Sequence, residues 1–364
     1  MKINKVEALY IHIPFCEHLC DYCDFPKLQY FTKFAKEYLL ALSNEIKYRK
    51  VQGDFKTIYI GGGTPTSLTD EEFKELLEMI KPFSKKVKEY TIEANPESLT
   101  INKLKLMKEY GVNRISIGVE STSDQVLSSI NRHHTFKDVK NAVNNAKKVG
   151  IDNLNVDLII GLPHVSFNML KEDIDNLLSL DVKHISTYSL TVHKNTVFFL
   201  KGIKEEKEDI SRDKYDYIHE TLTKNGFNHY EVSNFAKNGF ESKHNMVYWM
   251  NEHYFGLGLG ASGYLDNIRY TNTRNFSKYI SNEFEEEKEI VTIKDLKTYE
   301  LMLKLRTNIG IDLKSYKDKF NEDLLLSSGI NKQIKAQNLY IKNNHLIPTY
   351  NGMMLLDNIL MDII

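Results

Sequence analysis

The sequence predicts an α/β fold of parallel strands, a partial (β/α)6 barrel or a doubly wound sheet, followed by a small, mainly helical C-terminal domain. Three observations predict it. Short β-rich runs alternate with amphipathic helical runs through the first half of the chain. Glycines such as Gly111 and Gly150 close a helical run just before a strand. The alternation stops near residue 283, which divides the 364 residues into domains of 1–283 and 284–364.

The strands expected, in order, are Ala8–Ile13, Thr57–Ile60, Glu89–Ala94, Arg114–Val119, Asn153–Ile160 and His184–Leu190. Between the first two, Phe34, Tyr38, Leu42 and Ile46 fall on one face of a helix over 34–49. Thr69 and Glu72 form a capping box that opens the next helix, and Thr135 with Asp138 opens another. Strand–helix units in series give parallel strands with right-handed crossovers. The acidic run Glu285–Glu289 reads as a solvated linker or a helix start. Helices are expected over 292–306 and 313–320, and 337–361 resembles a small winged-helix-like module.

In a barrel, chemistry sits at the C-terminal ends of the strands. The candidate residues follow that rule: Cys16–Cys23 after the first strand, Gly61–Thr66 after the second, Glu93 and Glu120 at the ends of the third and fourth, and Asp157 within the fifth.

Lys and Arg total 48 against 49 Asp and Glu, so the net charge of −1 gives no electrostatic footprint for nucleic acid. No apolar run reaches the length of a membrane span, and Met1–Glu7 resembles neither a signal nor a transit peptide. A cytoplasmic protein is expected, with at most transient membrane association. The three cysteines all fall within eight residues, which points to a metal site in a reducing compartment rather than to disulfides.

Cys16, Cys20 and Cys23 have C-x3-C-x2-C spacing. Three thiolates on a four-iron cluster leave one iron open, as a substrate-binding cluster needs. The competing reading is a Cys3His zinc site with His12 or His18, although zinc knuckles usually come as paired C-x2-C. With Tyr10-Ile-His-Ile-Pro-Phe before Cys16 and Tyr22-Cys23-Asp24-Phe25 at its end, the motif resembles the radical-SAM signature. More narrowly, it resembles the oxygen-independent coproporphyrinogen III oxidase family and its heme chaperone (HemW-type) branch.

The resemblance implies a partial (β/α)6 TIM-like radical-SAM barrel. It implies a [4Fe–4S] cluster on Cys16, Cys20 and Cys23, S-adenosylmethionine (SAM) on the fourth iron, and an electron donor for the cluster. It further implies SAM contacts at Tyr10, Tyr22, Gly62, Gly63, Thr64, Glu93, Glu120, Arg132 and Asp157. Carboxylates and an arginine suit a ligand that carries an ammonium, a carboxylate and ribose hydroxyls. At Glu120 the family usually has Gln, so a contact that needs an amide N–H is not expected here.

A second motif, His244-Asn245-Met246-Val247-Tyr248-Trp249, contains the chain's one tryptophan and precedes the glycine-rich stretch Gly256–Gly263. Read alone, it is a buried aromatic turn with glycines at close packing. The H-N-x-x-Y-W pattern resembles the heme-binding motif of the chaperone branch, which implies heme b on His244, Asn245, Tyr248 and Trp249. Imidazole is a standard axial ligand, and the flat rings suit a porphyrin. His133, His134 and the methionines are candidates for the second axial position.

Phe25 stands where the oxidases carry a further cysteine, and nine residues precede Tyr10 where they have a long covering segment. The resemblance therefore implies a heme chaperone with a heme-accepting protein as partner. The alternative is oxidative decarboxylation of coproporphyrinogen III.

Overall fold

The computed structural model describes residues 6–364; of the polar leader Met1–Glu7, residues 1–5 lie outside them. Six parallel strands lie side by side in chain order: β1 (Ala8–Ile13), β2 (Thr57–Gly62), β3 (Glu89–Ala94), β4 (Arg114–Glu120), β5 (Asn153–Ile160) and β6 (His184–Ser189). The register sets Tyr10 beside Tyr59, Glu93 beside Ser116 and Asp157 beside Ser186.

Side chains alternate across a strand, and here the two faces differ sharply. Leu9, Ile11, Ile58, Ile60, Ile92, Ile115, Val156 and Ile185 join the main hydrophobic core with the surrounding helices. The residues between them are polar: Tyr10, Tyr59, Thr91, Glu93, Arg114, Ser116, Asn155, Asp157 and His184. Both expected capping boxes form, on helices Asp70–Ile80 and Phe136–Lys148. Gly111 and Gly150 take the left-handed backbone that ends a helix, at φ 84° and 80°.

The sheet continues beyond both sides of the parallel core to twelve strands. Tyr254–Leu257 runs parallel to β1 and is followed by antiparallel Ser262–Leu265, Ile268–Asn272 and Glu285–Ile290. On the other side, Asn234–Ala236 and Asn228–Glu231 extend β6. The acidic run is therefore a strand, not a linker or helix start. It pairs with Ile268–Asn272 at the sheet's edge, where charged side chains discourage pairing with another chain.

The glycines that follow the second motif serve packing. A Cβ on Gly256 would lie 1.8 Å from the Ser262 carbonyl oxygen, and one on Gly258 would lie 2.4 Å from that of His12. Glu45, fully buried, closes this region by accepting from Arg49, Gly258, Tyr279 and Asn272.

Past Val291 come helices Ile293–Lys304, Leu313–Phe320 and Ser328–Lys335 and a three-stranded antiparallel sheet of Ile311–Asp312, His345–Pro348 and Leu339–Lys342. They enclose a second hydrophobic cluster around Leu305, Ile311, Leu346 and Ile359. Among the described residues, no helix is long and apolar enough to cross a membrane.

Candidate functional site

The loops at the C-terminal ends of the six strands surround a cavity of about 470 Å³, within the range of small-molecule sites. Cys16, Cys20 and Cys23 all line it and none is in a disulfide. The segment that carries them is anchored at both ends: Phe15–Cys16 pairs with Leu28–Gln29, and Asp21 N–H donates to the Ile130 carbonyl at 3.3 Å.

Three donors address this segment. Thr64 Oγ1 lies 3.6 Å from Cys16 Sγ, Arg132 Nη1 lies 3.8 Å from Cys20 Sγ, and Lys27 Nζ donates to the carbonyls of Cys20 and Cys23. Burial pushes the Cys16 thiol up to about 12 and raises that of Cys23, so loading a metal here releases protons. Three free thiols on one wall beside two cations fit an iron–sulfur cluster with one open iron.

His12, one of the two candidate zinc ligands, is closed. Nε2–H donates to the Pro26 carbonyl at 2.8 Å, and Nδ1 accepts from Tyr10 O–H at 3.0 Å. Burial lowers it to about 4, which keeps it neutral.

Gly62, Gly63 and Thr64 form the adjoining wall. Gly62 has φ 111°, and a Cβ there would stand 2.2 Å from the His12 ring, so only glycine fits. Its N–H donates to Glu93 Oε2 at 2.8 Å, while Tyr59 O–H donates to Oε1 at 2.6 Å. Burial nevertheless raises the Glu93 carboxyl, and it also raises Asp157, which accepts from Asn155 at 2.7 Å.

Glu120 has φ 65° and lies 3.7 Å from Arg132 Nη2. Burial, reinforced by the nearby Asp157 and opposed by Arg132, raises its carboxyl to about 7. Arg132 donates to Asn95 Oδ1 at 2.8 Å and to the Gly118 carbonyl. Its Nε is buried without a partner among the described residues, an open donor suited to a ligand carboxylate. Tyr22 lies beside Glu120 and Arg132, with its ring 6.4 Å from that of Phe198. These donors, acceptors and aromatic surface fit SAM.

The cavity thus gathers eight of the nine expected SAM residues. Tyr10 is the exception: it does not line the cavity but supports His12 from below. Asn95 and Lys27 also line the cavity and were not expected. Asn95 had a faint signal, a polar residue before Pro96 at a strand end; Lys27, four residues past the last cysteine, had none beyond its charge.

The second motif does not reach this cavity. His244–Trp249 lies on helix Lys243–Trp249, which packs against the N-terminal ends of β2 and β3. His244 is fully buried and both ring nitrogens are engaged, Nδ1 with Thr57 Oγ1 at 2.9 Å and Nε2 with Tyr248 O–H at 2.7 Å. Burial lowers it to about 3. Asn245, Tyr248 and Trp249 are half-buried, and the Tyr248 ring packs edge-on to Tyr254 at 4.6 Å. In this conformation His244 offers no lone pair to an iron.

Comparison with known proteins agrees with the fold. The model of the Radical SAM superfamily matches residues 10–177. The heme chaperone HemW of Bacillus subtilis is 40% identical over 88% of each chain. That of Lactococcus lactis is 37% identical over 98% of this chain and 97% of its own. A solved structure of the radical-SAM coproporphyrinogen III oxidase from Escherichia coli superposes with a TM-score of 0.84 over 99% of this chain and 90% of its own. At 20% identity that likeness speaks for the fold alone. By identity and coverage, the chain belongs to the HemW family of heme chaperones within the radical SAM superfamily.

Proposed function

We propose that this protein binds heme and passes it to an acceptor protein, while its cavity holds a [4Fe–4S] cluster with SAM on the open iron. The observation that carries the reading is 40% identity to a heme chaperone along 88% of both chains. In this reading Cys16, Cys20 and Cys23 hold the cluster. Gly62, Gly63 and Thr64 receive the amino group of SAM, Arg132 takes its carboxylate through the open Nε, and Tyr22 covers its adenine. Glu93, Glu120 and Asp157 serve its ammonium and hydroxyls, and Tyr10 steadies the His12 side of the wall. When bound, the cluster and SAM supply one-electron reductive chemistry. The chain's own part is to orient the ligand, neutralise its charges and exclude water.

Heme b is assigned to the motif of His244, Asn245, Tyr248 and Trp249, with one physical condition. Helix Lys243–Trp249 must open so that His244 Nε2 leaves the Tyr248 hydroxyl. The test is an anaerobic hemin titration of the cluster-loaded protein and of His244→Ala, followed by the Soret band. Stoichiometric binding that weakens in the variant supports the reading. No binding by the wild type sinks the carrier assignment.

A further inference from the structure

An iron ligand needs a free lone pair at a surface that a porphyrin can reach. Several histidines here fail that condition, and His193, which also lines the cavity, has Nε2 3.5 Å from an Asp24 carboxylate oxygen. His12, His184 and His244 are buried with both ring nitrogens engaged, and His134 is buried against Glu97 and the Val119 carbonyl.

His18 is different. It is exposed, it lines the cavity, and neither ring nitrogen has a hydrogen-bond partner among the described residues. Its ring is held by stacking on exposed His133, with centroids 3.8 Å apart and planes 29° apart. His133 is held in turn: its Nε2 lies 3.1 Å from Asn131 Oδ1, and Asn131 donates to the Leu19 carbonyl at 2.8 Å. Thus the imidazole has one face stacked and both nitrogens open.

The surroundings suit a porphyrin. Phe25 lines the same cavity at 62% exposure, an apolar ring with nothing over it. Lys27 lines the cavity too, with Nζ on the Cys20 and Cys23 carbonyls, and Lys201, 57% exposed, is paired with Asp21 at 2.6 Å; an ammonium has three donors, so a propionate would share them.

Resting on the heme-carrier reading above, we propose that heme is captured at the mouth of the cluster cavity. His18 takes the iron, His133 positions the His18 ring, and Phe25 covers a porphyrin face. The bond is a coordinate one, an imidazole lone pair given to iron, with no change of oxidation state. This capture site lies at the opposite end of the strands from His244, so the two histidines cannot ligate one iron together.

The test uses the full chain with cluster and SAM loaded, hemin as probe, and the Soret band of the ferric heme, taken as a difference spectrum, as readout. His18→Ala should weaken hemin binding about tenfold or more and shift the Soret band toward that of free hemin. Because His18 lies between two cluster cysteines, iron and sulfide content is measured alongside. His133→Ala, outside that segment, should keep the cluster and weaken hemin binding less than His18→Ala does. The proposal is overturned if both variants bind hemin with the wild-type spectrum, or if only His244→Ala changes it; the carrier reading then still stands. A wild type that binds no hemin refutes the carrier reading itself.

Discussion

Glu120→Gln isolates the energetic effect of a buried carboxyl. Glu120 is 9% exposed, and burial raises its carboxyl from an ordinary 4.5 to about 7. The folded state therefore holds a proton that the unfolded state has released. Stability from this group is fully present below 4.5 and is lost as pH rises through about 7. Between pH 5 and pH 8 the loss is about 2.5 kcal/mol. Gln cannot titrate, and both residues carry the same strain at φ 65°, so the backbone contribution cancels. Urea denaturation of the cluster-free protein at several pH values is the assay. The stability of the variant relative to wild type should climb by about that amount across the range. Parallel profiles would show that Arg132, 3.7 Å away, keeps Glu120 ionised throughout, and the argument from burial would be wrong.

Two further outcomes follow from the geometry. Gly62→Ala places a methyl group 2.2 Å from the His12 ring and should cost about 2–4 kcal/mol and abolish SAM binding by calorimetry, whereas Gly111→Ala, with the same kind of backbone and open space around it, should cost about 1–2 kcal/mol; equal costs would mean that the His12 contact is irrelevant. Glu89→Gln weakens the anionic cap that receives the N–H groups of Lys243 and His244, each at 2.9 Å, and should cost about 1–2 kcal/mol and speed hydrogen exchange in 243–249; unchanged exchange there would show that the helix is held by other means.

How much of this was legible in the sequence depended on how local the determinant was. Ala8–Ile13, Glu89–Ala94 and Asn153–Ile160 run between the same residues in sequence and structure, because each is a self-contained run bounded by turn or capping residues. Glu285–Glu289 was misread because a run of glutamates with one lysine serves an edge strand and a solvated linker equally well; only its partner Ile268–Asn272 distinguishes them. Asn95 was missed because its part comes from Arg132, 37 residues away. The closure of His244 was illegible for the same reason, since Thr57 and Glu89 reach it from strands more than 150 residues earlier.

The polar interior links the two motifs that sequence reasoning could only set side by side. Barrels of this type usually fill their interior with branched apolar side chains, and a polar filling costs stability unless it is hydrogen-bonded. Here it is bonded in one direction. Ser242 N–H, at the cap of helix Lys243–Trp249, donates to the Tyr230 hydroxyl oxygen at 3.1 Å, and Tyr230 O–H donates to His184 Nε2 at 2.8 Å. His184 Nδ1–H donates to Asn155 Oδ1 at 2.5 Å, and Asn155 Nδ2 donates to Ser116 Oγ and to Asp157 Oδ1, each at 2.7 Å. Burial holds His184 neutral, as this direction of donation requires. Chains of like-directed hydrogen bonds polarise one another, so an anion at the accepting end strengthens the whole series. Ser116 and Asp157 line the cavity. A cation placed against Asp157 draws on its negative charge and weakens the pull along the series toward Ser242. One run of hydrogen bonds thus joins the cap of the helix that encloses His244 to the wall of the cavity at the other end of the strands.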